Sequence, residues 1–414
     1  VGRVTRSGLG RDFHRLWFAR SVSAAGSGIA LVVLPVVVFR MTGSSSLTAL
    51  LATIGAAPYL LLGLVAGAIA DRRDRLRLMT VCGLVSAIAV AGIPLAAMGG
   101  VLTVGQVFVT VAITGTCFVL SDAAAFGALP AIVERAELPR ATSRTAASET
   151  VIALSAPAVG GMLIAAVEPA TAIWIDAASY VAAAAVIARI TTGRAVVAGG
   201  RPDLRRDIRE GLAYLRAHRL IWPLTLAGFG LNVTGGAVVS LLVVYGVRHL
   251  ALASNDPLLG GLFALGEAAC LAATLALPAL TRRFGAPRIS LVALSLNPLA
   301  LLLVVGAPGL VAALVALALW WATWDLANLN GIVVRQQVTP AHLQSRVNAT
   351  ARSIAFGGQP VGALLAAVAS TGLAVEGVYL VAGVGVTCAA LAVWCTGLRR
   401  VDGPAYARLV AEAG

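Results

Sequence analysis

The sequence predicts an all-α integral membrane protein: twelve transmembrane helices in two pseudo-symmetric six-helix bundles. Three observations carry this reading: apolar stretches each about long enough to cross a bilayer, arginines gathered on alternate loops, and a second half that repeats the first. A spanning helix needs roughly 20 apolar residues at ~1.5 Å each. Composition agrees, with 59% apolar and 12% charged residues over 414 positions and a mean hydropathy of +0.91. A water-soluble domain of that make-up would expose large apolar patches.

The polar start, with Arg3, Arg6, Arg11 and Arg15, leads into the first span, 16–39. That span is too long for the apolar region of a cleavable signal, so it is expected to stay. Span two, 47–70, ends in a basic loop, and spans three and four, 78–98 and 101–121, follow in close succession. A polar stretch separates them from spans five and six, 150–167 and 171–190, which complete an N-terminal bundle over 1–190. The longest polar segment, 191–219, comes next. Its Leu204, Ile208, Leu212 and Leu215 share one helical face, with Arg205, Arg206 and Arg209 elsewhere, so a cytoplasmic amphipathic connector lying on the inner leaflet is expected. The C-terminal bundle, 220–414, repeats the arrangement with spans at 220–247, 258–280, 289–306, 309–329, 352–371 and 376–397.

The repeat is visible in the residues. LPAIVERAELPRATSRTAASETVIALSAPAVGGMLIAA (129–166) resembles IVVRQQVTPAHLQSRVNATARSIAFGGQPVGALLAA (332–367), and the loop at Asp71, Arg72 and Arg73 aligns with Thr281, Arg282 and Arg283. Duplicated six-helix units suit a transporter.

All 31 Lys+Arg positions are Arg. With both termini cytoplasmic, every one except Arg20, Arg40 and Arg248 falls in or beside a cytoplasmic segment, as the positive-inside rule requires. The net charge of +13 therefore reads as orientation and contact with membrane lipids, not as nucleic-acid binding. Cys82, Cys117, Cys270, Cys388 and Cys395 lie in apolar spans without ligand spacing, so neither disulfides, metal nor cofactor is expected. No P-loop occurs, and His14, His218, His249 and His342 form no compact catalytic set, which argues against ATP hydrolysis and against an enzyme.

The loop GAIADRRDRLR, Gly67 to Arg77, resembles the G-x-x-x-D-R-x-G-R-R signature of the major facilitator superfamily. Gly67 and Asp71 have its spacing, Arg72, Arg75 and Arg77 supply the basic cluster, and Asp74 replaces the second Gly. The resemblance implies a conformational latch, with Gly67 permitting close helix approach; a plain positive-inside anchor is the alternative. Ala156, Pro157, Gly160 and Gly161 stand where superfamily antiporters carry G-P-x-x-G-G, with Gln359, Pro360 and Gly362 as a weaker echo. Ordinary helix packing explains such residues equally well. The resemblance covers nearly the whole chain and is nearest to the exporter branch containing enterobactin and macrolide efflux proteins. Where that branch often places an acidic residue after a Gly, this chain has Gly26 followed by Ser27.

Ionisable groups inside spans are costly and mark function or pairing. Glu267, ~14 Å into the eighth span, is the leading candidate: it could exchange a proton, greet a cationic substrate, or simply make a structural hydrogen bond. Asp122 and Asp325, one repeat apart near the ends of spans four and ten, are candidates for coupling, gating or pairing with Arg. Arg20, inside the first span, needs a carboxylate or cavity water unless it snorkels. Asn232 and Gln359 are candidate substrate contacts, Asn297 is a third mid-span amide, and Asp176 reads as structural. Trp320, Trp321 and Trp324 suit an aromatic wall or simple packing.

These expectations converge on a bacterial inner-membrane secondary transporter, working as a monomer. It would export a small amphipathic or lipophilic compound (an antibiotic, toxic metabolite or siderophore) in exchange for protons. Proton-coupled nutrient uptake and a membrane-embedded lipid-modifying enzyme are the alternatives.

Overall fold

The computed structural model of the chain describes residues 9–134, 137–191, 204–340 and 343–395, and every regular element among them is helical. In chain order the helices are α1 (Arg11–Thr42), α2 (Ser45–Asp71), α3 (Arg75–Met98), α4 (Val104–Ile132), α5 (Leu138–Ala166), α6 (Pro169–Ala172), α7 (Trp174–Ile187) and α8 (Leu204–Ala217). They continue with α9 (Ile221–Ser240), α10 (Leu242–Arg248), α11 (Leu258–Phe284), α12 (Ala286–Val305), α13 (Leu310–Val338), α14 (Gln344–Phe356), α15 (Gly358–Ala369) and α16 (Val375–Cys395). Eleven stretches are long and apolar enough to cross a membrane, with α6 and α7 counted as one. The remaining expected span, 352–371, is present as α14 and α15, each too short to cross alone. They meet at Gly357; Pro360 has no N–H to return to the carbonyl of Phe356, so the ladder is broken just there.

Several helices run past their apolar cores. α4 extends to Ile132, α5 starts at Leu138 with Pro139 in its first turn, α13 runs to Val338, and α14 starts at Gln344. Hydropathy sees only the lipid-matched part of a helix, whereas backbone hydrogen bonding continues into polar sequence. The consequence is positional: Asp122, expected near the end of its span, stands ~15 Å from the end of α4, and Arg335 and Arg352 lie within helices. Local signals set other ends. Asp74 caps α3 by accepting from Arg77 N at 3.1 Å, which accounts for an Asp where the signature has Gly. Thr103 caps α4 through Gln106 N at 3.2 Å, after a turn whose Gly100 takes φ +68°.

The described residues fall into two compact units, the first drawn from Val1–Val37, Leu61–Gly200 and Asn255–Gly260, the second from Val38–Leu60, Arg201–Ser254 and Gly261–Gly414. In the first, α3 packs on α4 and α7 around Leu16, Leu76, Met79, Ala124, Ala128 and Ile187. In the second, α9 packs on α13, α15 and α16, and α12 on α13 and α16, around Leu231, Leu294, Ala327, Val386 and Val393. Large apolar side chains also point outward, Ile88 and Met98 on α3 and Val311 on α13 being about three-quarters exposed, as a lipid-facing surface allows.

The connector helix corrects one expectation. Leu215 does not face a leaflet; it is fully buried with Ile221, Val338, Val347 and Ala351. Tyr214 donates to Val338 O at 3.0 Å, Glu210 pairs with Arg346, and Gly211 lies against the backbone of Arg346. Amphipathicity requires a cover for the apolar face, and at Leu215 residues of α9, α13 and α14 supply it. The side chains of Leu204, Arg205, Arg206 and Ile208 lie outside the described residues.

Candidate functional site

Two clusters of intramembrane polar groups stand out, one in each unit. In the first unit Arg20 on α1 is held by two carboxylates, Glu149 on α5 at 2.9 Å and Asp122 on α4 at 3.4 Å. The expectation of a carboxylate for Arg20 and of an arginine for Asp122 thus meets in one pair. Glu149 was missed, because the fifth span read from 150 left it in a loop. One turn away Trp17 donates to Ser148 Oγ at 2.7 Å, and the Arg144 guanidinium lies 4.5 Å from the Trp17 ring centroid.

The Gly67–Arg77 loop is only partly as expected. Among the described residues nothing lies within 4 Å of a Cβ placed on Gly67, so the expected close approach is not seen there. The close approach is instead at Gly127, where the Arg75 guanidinium packs and donates to Gly127 O at 3.0 Å. Arg72 and Arg77 are exposed, and the side chain of Asp71 lies outside the described residues.

Pro157, Gly160 and Gly161 put backbone against backbone. A Cβ on Gly160 would stand 3.0 Å from Ile29 O of α1, and one on Gly161 would stand 2.9 Å from both Cα and N of Gly260 and closer still to Pro257 O. In the second unit Gly358 and Gly362 of α15 are pressed on Val233 of α9, and Gly236 of α9 on Gln359. The matched sequence stretches therefore make corresponding contacts, α5 on α1 and α15 on α9.

Glu267 and Asp325 form the second cluster. Glu267 is half-buried ~14 Å along α11, and Asp325 is half-buried near the middle of α13. Each carboxylate lies within electrostatic reach of the other and of Cys270. The facing residues on α11 recur every fourth position: Gly266 receives the Trp321 ring, Cys270 Sγ approaches Trp321 O at 3.8 Å, and Thr274 donates to Asp325 Oδ2 at 3.0 Å. Among the described residues neither carboxylate has an ion-pair partner. That is the asymmetry between the repeat-related aspartates: Asp122 meets Arg20, whereas Asp325 meets another acid.

Other candidates are engaged in packing. Asn232 is fully buried, donating to Gly228 O at 2.8 Å and Asn328 Oδ1 at 3.0 Å, so it is closed to a substrate in this state. Asn297 donates to Trp320 O and Thr323 Oγ1, both at 3.1 Å. Trp320, Trp321 and Trp324 pack edge to face with centroids 5.1 and 5.8 Å apart; Trp320 and Trp321 are buried and Trp324 is partly buried against the core. Asp176 is 4% exposed on α7 beside Gly26 and Ser179, with Oδ1 unbonded, while Ser27 meets the Tyr180 hydroxyl at 3.0 Å. Gln359 does line a cavity of about 160 Å³, with Ala56, Tyr59, Leu60, Arg352, Phe356 and Pro360. The His249–Glu376 contact at 2.7 Å, with His249 stacked 4.7 Å from Tyr245, had no signal in local sequence, since its partners are far apart in the chain. Among the described residues no group of three or more metal-ligating side chains occurs.

A model of the transmembrane secretion effector family matches residues 9–409. The multidrug efflux pump Tap of Mycobacterium tuberculosis is 32% identical over 239 residues, covering 52% of this chain and 53% of that protein. Macrolide efflux protein A of Streptococcus pyogenes is 25% identical over 218 residues, covering 52% and 54%. The chain thus spans about half the length of these curated relatives it matches. A mutant of the nucleoside transporter NupG superposes with a TM-score of 0.79 at 12% identity, over 93% of this chain and 99% of that one, which shows the major facilitator fold.

Proposed function

Because the chain belongs to the transmembrane secretion effector family of the major facilitator superfamily, we propose that it is an efflux transporter. It exports a small amphipathic or lipophilic compound by alternating access in exchange for protons. The observation that carries the proton step is the Glu267–Asp325 pair: two half-buried acids, near mid-helix, with no arginine among the described residues to neutralise them. Two like charges at one low-dielectric site resist joint ionisation, so such a pair takes up a proton readily and releases it when solvation or a cationic partner changes. Thr274 orients Asp325 by donating to its Oδ2.

In this reading 1–190 and 220–414 are the two six-helix bundles joined by the connector 191–219, and both termini lie on the cytoplasmic side of a bacterial inner membrane. The arginine distribution supports that orientation. Arg20, Asp122 and Glu149 form a fixed ionic strut, and Arg75 on Gly127 with Asp71 forms the latch at the α2–α3 turn. The chain works on transport alone, as a monomer, with substrate and protons as its transient partners. Efflux of a panel of dyes and antibiotics from cells with and without the protein tests this: expression should lower accumulation of at least one compound, and dissipating the pH gradient should abolish that difference.

A further inference from the structure

Arg352 is the first residue of the expected eleventh span, 352–371; in the fold it lies within α14, ~12 Å from the helix start. Its side chain is exposed, and among the described residues it has no ion-pair partner. Its guanidinium lies 5.7 Å from the Phe356 ring centroid. An arginine at the edge of a membrane span is matched by a carboxylate, backbone carbonyls, water or an anionic ligand. Here it borders the cavity at the α14–α15 break, together with Tyr59 from α2 and Gln359 from α15.

We propose that this cavity is a subsite for the anionic head of an amphipathic, ring-bearing molecule, with Arg352 as the charge partner. The guanidinium offers a planar fork of donors matched to a carboxylate, sulfonate or phosphate. The Gln359 amide and Tyr59 hydroxyl add neutral donors, and Phe356, Leu60 and Pro360 supply the apolar wall on which a ring can lie. At about 160 Å³ the cavity holds one ring or head group rather than a whole drug-sized molecule, so it is part of a larger path. The proposal deepens the efflux reading and rests on it for calling the ligand a substrate; the binding chemistry stands separately. A lipid head group and a free organic anion share that chemistry.

The test is saturable binding to the full chain in phosphatidylcholine nanodiscs, read by fluorescence anisotropy with two xanthene dyes of opposite charge, anionic fluorescein and cationic rhodamine 6G. Fluorescein should bind, Arg352→Gln should weaken it about tenfold or more, as loss of a charge-assisted hydrogen bond implies, and Arg352→Lys should retain most of it. Rhodamine 6G should not weaken in Arg352→Gln. Adding phosphatidylglycerol distinguishes the sources: weaker fluorescein binding in wild type but not in Arg352→Gln identifies a lipid occupant, and no change identifies a free anion. Absence of saturable fluorescein binding, equal affinity in Arg352→Gln, or equal loss of both dyes would overturn the proposal. If Arg352→Gln fails to insert, Gln359→Leu replaces it and should weaken fluorescein selectively by a few-fold; an unchanged affinity there counts equally against the site. Intact fluorescein binding without any cellular efflux would count against the transport reading and leave the subsite standing.

Discussion

Replacing Arg20 with Gln should destabilise the first unit by about 2 kcal/mol, and the size follows from its two partners. At 2.9 and 3.4 Å each attraction is ~5 kcal/mol before desolvation, for an effective dielectric constant near 20. Glu149 has 47% of its side chain exposed, so its pair belongs in the surface range of ~0–1 kcal/mol. Asp122 is only 23% exposed, and stripping it of Arg20 leaves a partly buried charge beside a second carboxylate, which costs more. About 2 kcal/mol is a roughly thirty-fold change in the folded-to-unfolded ratio, measurable by SDS titration of the purified protein. The mechanism makes a second demand: Arg20→Gln combined with Asp122→Asn and Glu149→Gln removes all three charges and should recover most of the loss. Arg20→Gln within ~0.5 kcal/mol of wild type, or a triple variant weaker than the single one, would refute the strut.

A Cβ at Gly161 would press on Gly260 and Pro257, so Gly161→Ala should cost about 1–3 kcal/mol, while Gly67→Ala, facing open space, should be neutral or slightly stabilising. Thermal unfolding in detergent separates the two, and equal effects would contradict the assigned contacts. His218 Nδ1 accepts from Leu220 N at 3.2 Å and Ile221 N at 3.3 Å, capping α9, and burial holds its pKa below the ordinary value of 6.5. With the folded-state value depressed, the cap's stabilisation is complete above about pH 6.5 and is lost as pH falls through the lowered value. Intrinsic-rate-corrected amide exchange in the first turn of α9 should therefore speed up toward pH 5, and His218→Ala should be fast and pH-independent; an unchanged pH dependence in that variant would exclude His218 as the cause.

The spans were legible because lipid demands long apolar runs and the arginines punctuate them. What hydropathy could not supply was where each helix ends, and that single gap displaced the polar residues that matter most. Glu149 reads as a loop flank and Arg352 as the first residue of a span because α5 and α14 continue into polar sequence. Arg20 announced that it needed a carboxylate, but only tertiary packing could say which. Sequence left Asn232 as a possible substrate contact and the three tryptophans as either wall or packing, because composition does not reveal which face of a helix a neighbour covers; in the fold Asn232, Trp320 and Trp321 are buried, with Trp324 partly buried against the core. The connector shows the same limit, since an apolar stripe states that a cover is needed and only the fold shows Leu215 covered by residues of α9, α13 and α14. Gly67 matched a pattern, yet among the described residues the packed glycine beside this loop is Gly127, under the Arg75 side chain, a residue with no local signal.

The central claim is that protons drive export through Glu267 and Asp325. Its most direct test is substrate transport by reconstituted wild-type, Glu267→Gln and Asp325→Asn proteins in vesicles with an imposed pH gradient, paired with counterflow at equal pH. Wild type should concentrate substrate against its gradient, and both variants should lose uphill transport while retaining counterflow. Uphill transport at the wild-type rate in both variants would contradict the account.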